Sequence, residues 1–269
     1  IATKVASGHP KGVGATGLKW IRGGKNYLKF DKKNLVEAVN GSLKRLKTDY
    51  IDLYQLHWPE RNVAVFGQLD FQHDPNDNKW TPILEVLENL NELVKLGKIR
   101  NIGLSNETPW GLLNFLNIAK QKKLPRAMTI QNGYNLVNRV FDIANSEVSI
   151  RENCGLLAYS PLAGGRLSGK YVHKKPKNSR YTLWPKRFSR HHTLRGEIAI
   201  KKYVKLAKKY NIPPSIFANA FVNSRPFVAS NIIGVTSANQ LKENIKSIEI
   251  KLSKEILEQI DDIHLSDPN

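Results

Sequence analysis

Short apolar runs alternate with amphipathic segments along the chain, and this alternation constrains the fold more than any other feature. Six runs have the length and apolar content of strands: Ile1–Val5, Ile51–His57, Ile99–Leu104, Ala127–Gln131, Gly155–Tyr159 and Asn231–Val235. Elsewhere, apolar residues recur at spacings of three and four, the pattern of one helix face. These predicted helices are Asn34–Leu46, Ile83–Leu96, Trp110–Ala119, Ile198–Tyr210, Ser215–Asn223, Gln240–Ile248 and Ser253–Ile263. The alternation predicts an α/β fold with a parallel sheet.

Six strand–helix units are two fewer than a closed (β/α)8 TIM barrel contains. Because no change in composition divides the chain, we expect residues 1–269 to form one barrel domain whose first two units are missing. An open, doubly wound sheet is the alternative, but no G-x-G-x-x-G motif follows an early strand. Two long loops, Glu60–Thr81 and Val172–Gly196, follow the second and fifth strands. They therefore lie at the carboxyl ends of strands, where such a barrel holds its active site.

Three of the predicted helices carry signals at their ends. Gly97 stands directly after one helix, where a C′ glycine ends it. Ser253 begins the last helix as a good N-cap residue. By contrast, Glu243 and Asn244 are expected to open the helix that contains them.

The composition is that of an ordinary globular protein, with 41% apolar and 24% charged residues. No run approaches the roughly 20 apolar residues of a membrane span. The single cysteine, Cys154, excludes an internal disulfide and suits a reducing compartment, so we expect a cytoplasmic protein. The net charge is +19, and the segment from Lys170 to Arg195 holds nine basic residues and no acidic one. This favours an anion-attracting surface over nucleic-acid binding, because no recognition motif accompanies the charge.

Polar residues recur at or near the strand ends. Lys4 lies within the first strand, His57 ends the second, and Ser105 and Asn106 follow the third. The longer motifs are Asp49–Pro59 (DYIDLYQLHWP), Gly103–Thr108 (GLSNET), Leu157–Gly165 (LAYSPLAGG), Gly169–Tyr171 (GKY) and Arg225–Ser230 (RPFVAS). Taken in order, from Ile1 to about His264, this series resembles the aldo-keto reductase superfamily, and within it the bacterial Tas-like branch.

The resemblance implies an NADP-dependent oxidoreductase that reduces aldehydes or ketones to alcohols by hydride transfer. The family's catalytic tetrad is Asp, Tyr, Lys and His. Lys4 matches the lysine, which lowers the pKa of the tyrosine, and His57 matches the histidine, which orients the substrate carbonyl. The family places its Asp and Tyr upstream of the lysine strand, and this chain begins at that strand, so neither is present. Neither Tyr54 nor Tyr134 is expected to substitute, and we expect little or no reductase activity from the chain as given.

The resemblance also assigns residues to each part of the cofactor. Ser105, Asn106 and Gln131 would hold the nicotinamide carboxamide, and Tyr159 would stack on the ring. The remaining contacts are assigned to Ser160, Leu162 and Gly164 for the pyrophosphate, Lys170 and Arg180 for the phosphates, and Gly234, Thr236, Gln240, Glu243 and Asn244 for the adenosine end. The basic residues favour NADP over NAD, although Gln240 stands where many relatives carry Arg.

A second interpretation is a non-catalytic NADP-binding regulatory protein that resembles the β subunits of potassium channels. Those share the Ser-Pro-Leu-Ala and Gly-Lys-Tyr segments but commonly carry Asn at the position of His57, so His57 favours an enzyme. The seven histidines show no metal-ligand spacing, and we expect His191 and His192 to be a solvated loop pair. Trp58 and Trp80 are candidates for lining the pocket of a small carbonyl substrate.

Overall fold

The computed structural model describes residues 1–7, 28–68, 70–184 and 193–268. The strands are β1 (Ala2–Val5), β2 (Ile51–Leu56), β3 (Ile99–Ser105), β4 (Ala127–Gln131), β5 (Gly155–Tyr159) and β6 (Val228–Ile232). The α-helices are α1 (Lys32–Leu46), α2 (Ile83–Lys95), α3 (Pro109–Lys122), α4 (Val140–Ala144), α5 (Ser146–Arg151), α6 (Arg180–Leu183), α7 (Leu194–Lys209), α8 (Pro214–Asn223), α9 (Ala238–Ile245) and α10 (Lys254–Ser266). The described residues also include the 3₁₀ segments Ala163–Ser168 and Lys246–Ile248. The predicted α/β class is confirmed.

The chain divides into two compact units, which we describe separately. The first comprises Ile1–Gln131 and Arg151–Cys154, and the second comprises Asn132–Ile150 and Gly155–Asn269. The expectation of a single domain over residues 1–269 stays a prediction.

Strands β1 to β4 of the first unit pair side by side and in parallel. The register aligns Lys4 with Gln55, Gln55 with Gly103, and Gly103 with Thr129. Because side chains alternate between the faces of a strand, these residues form one row on one face of the sheet. An added Cβ on Gly103 would lie 2.8 Å from the Thr129 hydroxyl and 3.2 Å from Gln55 Cγ. The row is therefore closely packed across Gly103.

The opposite face of this sheet is covered by α1, α2 and α3. Each helix buries an apolar stripe, which includes Leu35 and Val39 of α1, Leu87 and Leu90 of α2, and Leu112 and Phe115 of α3. Asp31 caps α1 by accepting a hydrogen bond from the Asn34 amide at 2.8 Å. Thr108 caps α3 in the same way at its Gly111 amide. These caps fix where the helices leave the loops that follow β1 and β3.

The second unit packs around the parallel pair β5 and β6. Helix α8 is its central helix, with every residue from Ser215 to Val222 buried. Phe221 of α8 stacks on the Tyr134 ring at 5.9 Å between centroids, and Phe227 meets the same ring edge-on at 5.4 Å. This aromatic cluster forms the centre of the second unit's core.

Several predicted boundaries differ from the observed ones. Strand β6 lies three residues before the predicted Asn231–Val235, because its pairing with β5 selects Val228–Ile232. Helix α7 begins at Leu194, inside the predicted loop, because Thr193 supplies an N-cap. Helix α9 begins at Ala238 after the Ser237 cap, so the expectation that Glu243 and Asn244 open this helix is wrong.

Other signals are confirmed, and three short helices went unpredicted. Gly97 has the left-handed φ of +69° that a C′ glycine supplies, and Ser253 accepts a hydrogen bond from the Ile256 amide at 3.3 Å. The helices α4, α5 and α6 are too short to show a periodic pattern.

In the described ranges, no helix has the length and apolar character needed to cross a membrane. The pair His191–His192 lies outside the described residues.

The row across Gly103 yields a stability prediction. Gly103→Ala forces its new Cβ against Thr129 Oγ1, so we expect a loss of about 1 to 3 kcal/mol in the free energy of unfolding. Removing that hydroxyl in the double variant Gly103→Ala/Thr129→Ala should recover part of the loss, because the two positions are in contact. Urea unfolding measures each effect. In the control Gly41→Ala, on α1, the new Cβ meets only the flexible end of Arg45 at 3.0 Å. This change should stabilise the helix slightly, and equal losses at both glycines would contradict the packing argument.

Candidate active site

Lys4 and His57 lie on the same face at the carboxyl ends of neighbouring strands. Lys4 pairs with Gln55 in the β1–β2 register, and His57 follows two residues later with its amide donating to the Val5 carbonyl at 2.9 Å. Burial lowers the pKa of the half-buried Lys4 ammonium. Burial, together with the nearby Lys4 charge as the smaller cause, lowers the pKa of His57 to about 4. The two groups therefore interact, and the His57 imidazole is neutral near pH 7.

The His57 ring is held by its neighbours in the first unit. It packs against the Trp58 indole with ring centroids 4.2 Å apart. The His57 carbonyl accepts a hydrogen bond from Asn106 Nδ2 at 2.9 Å, and the Trp58 carbonyl accepts one from the Ser7 hydroxyl at 3.1 Å. The loops that follow β1 and β3 thus both fix the backbone on which His57 lies.

Ser105, Asn106 and Gln131 form a compact polar turn at the ends of β3 and β4. The Gln131 carbonyl accepts from the Ser105 hydroxyl and from the Asn106 amide, each at 2.9 Å. Asn106 has a φ of +53°, a left-handed conformation that asparagine tolerates better than most residues. The Gln131 side-chain amide makes no hydrogen bond with any described residue. An uncommitted amide both donates and accepts, which fits the carboxamide that the sequence assigned to this turn.

Tyr159 ends β5 in the second unit. Its amide donates to the Asn132 carbonyl at 3.1 Å, and its carbonyl accepts from the Tyr134 amide at 3.2 Å. A Cβ on Gly133 would lie 3.2 Å from the Tyr159 ring, so glycine lets the ring lie against this backbone. The half-exposed ring therefore packs closely against the Gly133 backbone.

The loop after Tyr159 has an unusual backbone. Ser160, Ala163, Gly164 and Gly165 all have left-handed φ values, of +60°, +48°, +69° and +98°. Strain of this kind persists only where surrounding contacts enforce it. The Ser160 carbonyl accepts from Asn135 Nδ2 at 2.9 Å, and the Ala163 carbonyl accepts from the Tyr181 hydroxyl at 3.0 Å.

Glycine is required at two positions of this loop for reasons of space as well as φ. A Cβ on Gly164 would lie 3.0 Å from the Tyr181 ring. A Cβ on Gly165 would lie 3.3 Å from Lys170 Nζ. The Lys170 ammonium therefore lies directly over the glycine turn, while Leu162 is half-buried beside it. A cation over a tight turn suits an anionic group such as a phosphate.

The other phosphate and adenosine candidates lie in two segments of the second unit. Arg180 is exposed at the first position of α6. Gly234 and Thr236 lie on the exposed segment that leads into α9, and Gln240 is exposed in the first turn of α9. Gln240 Oε1 accepts a hydrogen bond from the Thr236 amide at 3.0 Å.

The last two adenosine candidates lie in the final turn of α9. Glu243 accepts a hydrogen bond from the Ser215 hydroxyl. Asn244 is buried, and its Oδ1 accepts from Asn219 at 3.3 Å. Both side chains are thus partly committed to contacts within the unit, and their assigned roles stay predictions.

The tyrosines that were considered as proton donors are not available. Tyr54 is 1% exposed and lies on the face of β2 opposite Gln55. The Tyr134 hydroxyl donates a hydrogen bond to Asp142 at 2.7 Å, and burial raises the pKa of Tyr134 above its usual value.

Trp58 and Trp80 line a cavity of about 20 Å³, which is too small for a carbonyl substrate. Among the described residues, no group of three or more His, Cys, Asp or Glu side chains is arranged to hold a metal ion.

Sequence reasoning missed an ion pair between Arg61 and Glu107. Arg61 Nη1 donates to Glu107 Oε2 at 3.1 Å, and Arg61 Nη2 donates to Glu107 Oε1. Nη2 also donates to the Thr108 hydroxyl at 3.1 Å. The two residues are 46 positions apart, so no local pattern indicates their contact. Only the adjacency of the loops after β2 and β3 brings them together.

The low pKa of His57 predicts a pH-dependent stability. Above pH 6.5 the imidazole is neutral in both the folded and the unfolded chain and contributes nothing. Between pH 6.5 and about 4 the unfolded chain binds a proton that the folded chain does not, so folding stability falls as the pH falls. His57→Gln should remove roughly 2 to 3 kcal/mol of the stability difference between pH 7 and pH 4.5, measured by urea unfolding. The exposed His73→Gln is the control, and an equal change there would contradict the assignment.

Comparison with known proteins identifies the same family that the sequence motifs indicate. The aldo/keto reductase family matches residues 1–264. Protein tas of Escherichia coli (strain K12) is 44% identical over 242 residues, which cover 87% of this chain and 68% of that protein. An aldo-keto reductase of Babesia bovis is 41% identical over 257 residues, covering 91% of this chain and 87% of that protein. A Schizosaccharomyces pombe protein named as a voltage-gated potassium channel subunit beta is 28% identical over 241 residues, covering 87% and 65%.

These matches confirm the predicted resemblance, including the likeness to Tas proteins. They also agree with an α/β fold of six strand–helix units that belongs to the (β/α)8 barrel type. This chain belongs to the aldo/keto reductase family, a family of oxidoreductases.

Proposed function

We propose that this chain is an NADP-dependent oxidoreductase that reduces aldehydes or ketones to alcohols. The observation that carries the proposal is the interaction between the Lys4 ammonium and the neutral His57 imidazole on one face of the sheet. Two half-buried groups with lowered pKa values at the carboxyl ends of parallel strands are typical of a catalytic site in this fold. The single buried thiol of Cys154 is consistent with a cytoplasmic protein.

The roles of the residues follow from their protonation. A neutral imidazole has one N–H donor, so His57 can donate a hydrogen bond to a carbonyl oxygen and orient it. The positive charge of Lys4 stabilises the negative charge that develops on that oxygen. When bound, the nicotinamide cofactor supplies the hydride. Ser105, Asn106 and Gln131 are proposed to bind its carboxamide.

The residues of the second unit that we propose to bind phosphate support NADP over NAD. Lys170 lies over the strained glycine turn, and Arg180 is exposed at the start of α6. Both are cations in a segment without acidic residues from Lys170 to Arg195. A dianionic 2′-phosphate gains more from such a segment than an uncharged ribose hydroxyl does.

Arg180→Ala should weaken NADPH binding by about tenfold or more and leave NADH binding nearly unchanged. Only NADPH carries the extra phosphate, and a charge-assisted hydrogen bond contributes about 1.5 to 3 kcal/mol. Titrations followed by the fluorescence of the reduced nicotinamide measure both affinities. Lys174→Ala removes an exposed cation from the same segment and is the matched control. Equal losses for the two cofactors would place Arg180 away from the 2′-phosphate.

A regulatory NADP-binding protein is the second candidate function. It is favoured by the similarity to the protein named as a voltage-gated potassium channel subunit beta. It is also favoured by the commitment of the Tyr134 hydroxyl to Asp142, which leaves that tyrosine unable to donate a proton. His57 favours the enzyme, because a regulatory protein has no need for an orienting imidazole.

Single-turnover mixing of the chain, NADPH and an aromatic aldehyde separates the two candidates. For the enzyme we expect slow oxidation of NADPH, since a missing proton donor costs about 10² to 10⁴ in rate. Lys4→Met should reduce that rate further without changing NADPH affinity, whereas Lys44→Met, at an exposed lysine of α1, should not. NADPH binding with no oxidation, or an oxidation rate that is the same in Lys4→Met as in the wild type, would support the regulatory candidate instead.

A further inference from the structure

The ion pair of Arg61 and Glu107 is almost fully buried in the first unit. The side chain of Arg61 is 11% exposed and that of Glu107 is 4% exposed. Glu107 also accepts a hydrogen bond from the Thr108 amide at 2.7 Å, and the Arg61 guanidinium lies 4.8 Å from the centre of the Trp110 ring. The pair therefore has a two-pronged hydrogen-bonded geometry and a flat aromatic cover, which is the arrangement that an arginine favours.

Gly111 shows how closely the pair fits its surroundings. A Cβ on Gly111 would clash with both the Arg61 guanidinium and the Glu107 carboxylate. The φ of Gly111 is not left-handed, so the requirement for glycine here is one of space. The first turn of α3 is thus built against the ion pair.

The pair joins the two loops that carry the candidate site. Arg61 lies four residues after His57, and Glu107 directly follows Asn106. Asn106 itself donates a side-chain hydrogen bond to the His57 carbonyl at 2.9 Å. Since Asn106 is held in a left-handed conformation, its neighbours must fix that conformation. The ion pair anchors the residue immediately after it.

We propose that Arg61 and Glu107 are positioning residues that hold the turn at Ser105 and Asn106 in the geometry that binds the nicotinamide carboxamide. The inference rests on the proposed function of that turn. Neither residue touches the carboxamide in this assignment; both act through Asn106. Their removal should therefore impair nicotinamide binding selectively and leave the adenosine end unaffected.

The decisive variant is Arg61→Met/Glu107→Leu, which removes both charges at once. Replacing a buried ion pair by apolar residues of similar volume often preserves stability, whereas removing one partner leaves a buried, uncompensated charge. Two ligands are titrated into the wild-type chain and the variant: NADPH, and 2′,5′-ADP, which carries the 2′-phosphate but no nicotinamide. We expect NADPH to bind at least tenfold more weakly and 2′,5′-ADP to bind within twofold of the wild type.

Arg139→Met provides the matched control in the second unit. Arg139 is also 11% exposed and forms ion pairs with Asp142 at 2.6 Å and Asp261 at 2.6 Å. Its loss should destabilise the chain in urea without changing the ratio of the two affinities. If the double variant does not fold, Arg61→Lys decides, because it keeps both charges and loses only the planar fork.

The outcomes separate the inference from the proposed function. Selective loss of NADPH affinity in the double variant or in Arg61→Lys supports the positioning role. A folded variant that binds NADPH as the wild type does, or that loses both ligands equally, overturns it. A wild-type chain that binds 2′,5′-ADP but not NADPH contradicts the assignment of the nicotinamide turn itself, and with it the inference.

Discussion

Parallel pairing brings the carboxyl ends of β1 to β4 to one edge of their sheet, and every role assigned in the first unit depends on this. The register aligns Lys4, Gln55, Gly103 and Thr129 in one row. Two residues further along, the alternation of side chains returns His57, Ser105 and Gln131 to the same face. An antiparallel strand would bring its carboxyl end to the opposite edge of the sheet, and a one-residue slip would send its side chains to the helix side. The chemistry of the edge therefore follows from strand direction and register.

Burial gives this edge its electrostatic character. Lys4 and His57 both lose hydration, and both have pKa values below their ordinary ones for that reason. The Lys4 charge acts on His57 as a second, smaller cause, because a nearby cation disfavours the protonated imidazole. A neutral donor beside a cation is suited to binding a polarised carbonyl oxygen, and the same desolvation makes the pair costly for folding at acid pH.

The turns around the candidate residues are held by contacts that a short motif does not contain. Asn106 and Ser160 adopt left-handed conformations outside regular structure, and neither is glycine. Asn106 donates to the His57 carbonyl, and the Ser160 carbonyl accepts from Asn135. In each case the partner comes from another part of the chain, so surrounding structure enforces the local strain. The motifs supply the functional groups, and these partners supply their orientation.

The sequence by itself determined the α/β class, the presence of the six strands, the caps at Gly97 and Ser253 and the family, because these depend on local periodicity and on motif order. The tertiary structure decided what depends on contacts between distant residues. Because it pairs with β5, strand β6 comprises Val228–Ile232 rather than the predicted Asn231–Val235. Because Ser237 caps α9, Glu243 lies near the end of that helix rather than at its start. The Arg61–Glu107 pair exists only because two loops are adjacent in space. Local pattern cannot encode such contacts, since their free energy arises from burial and charge pairing that appear only when the chain has folded.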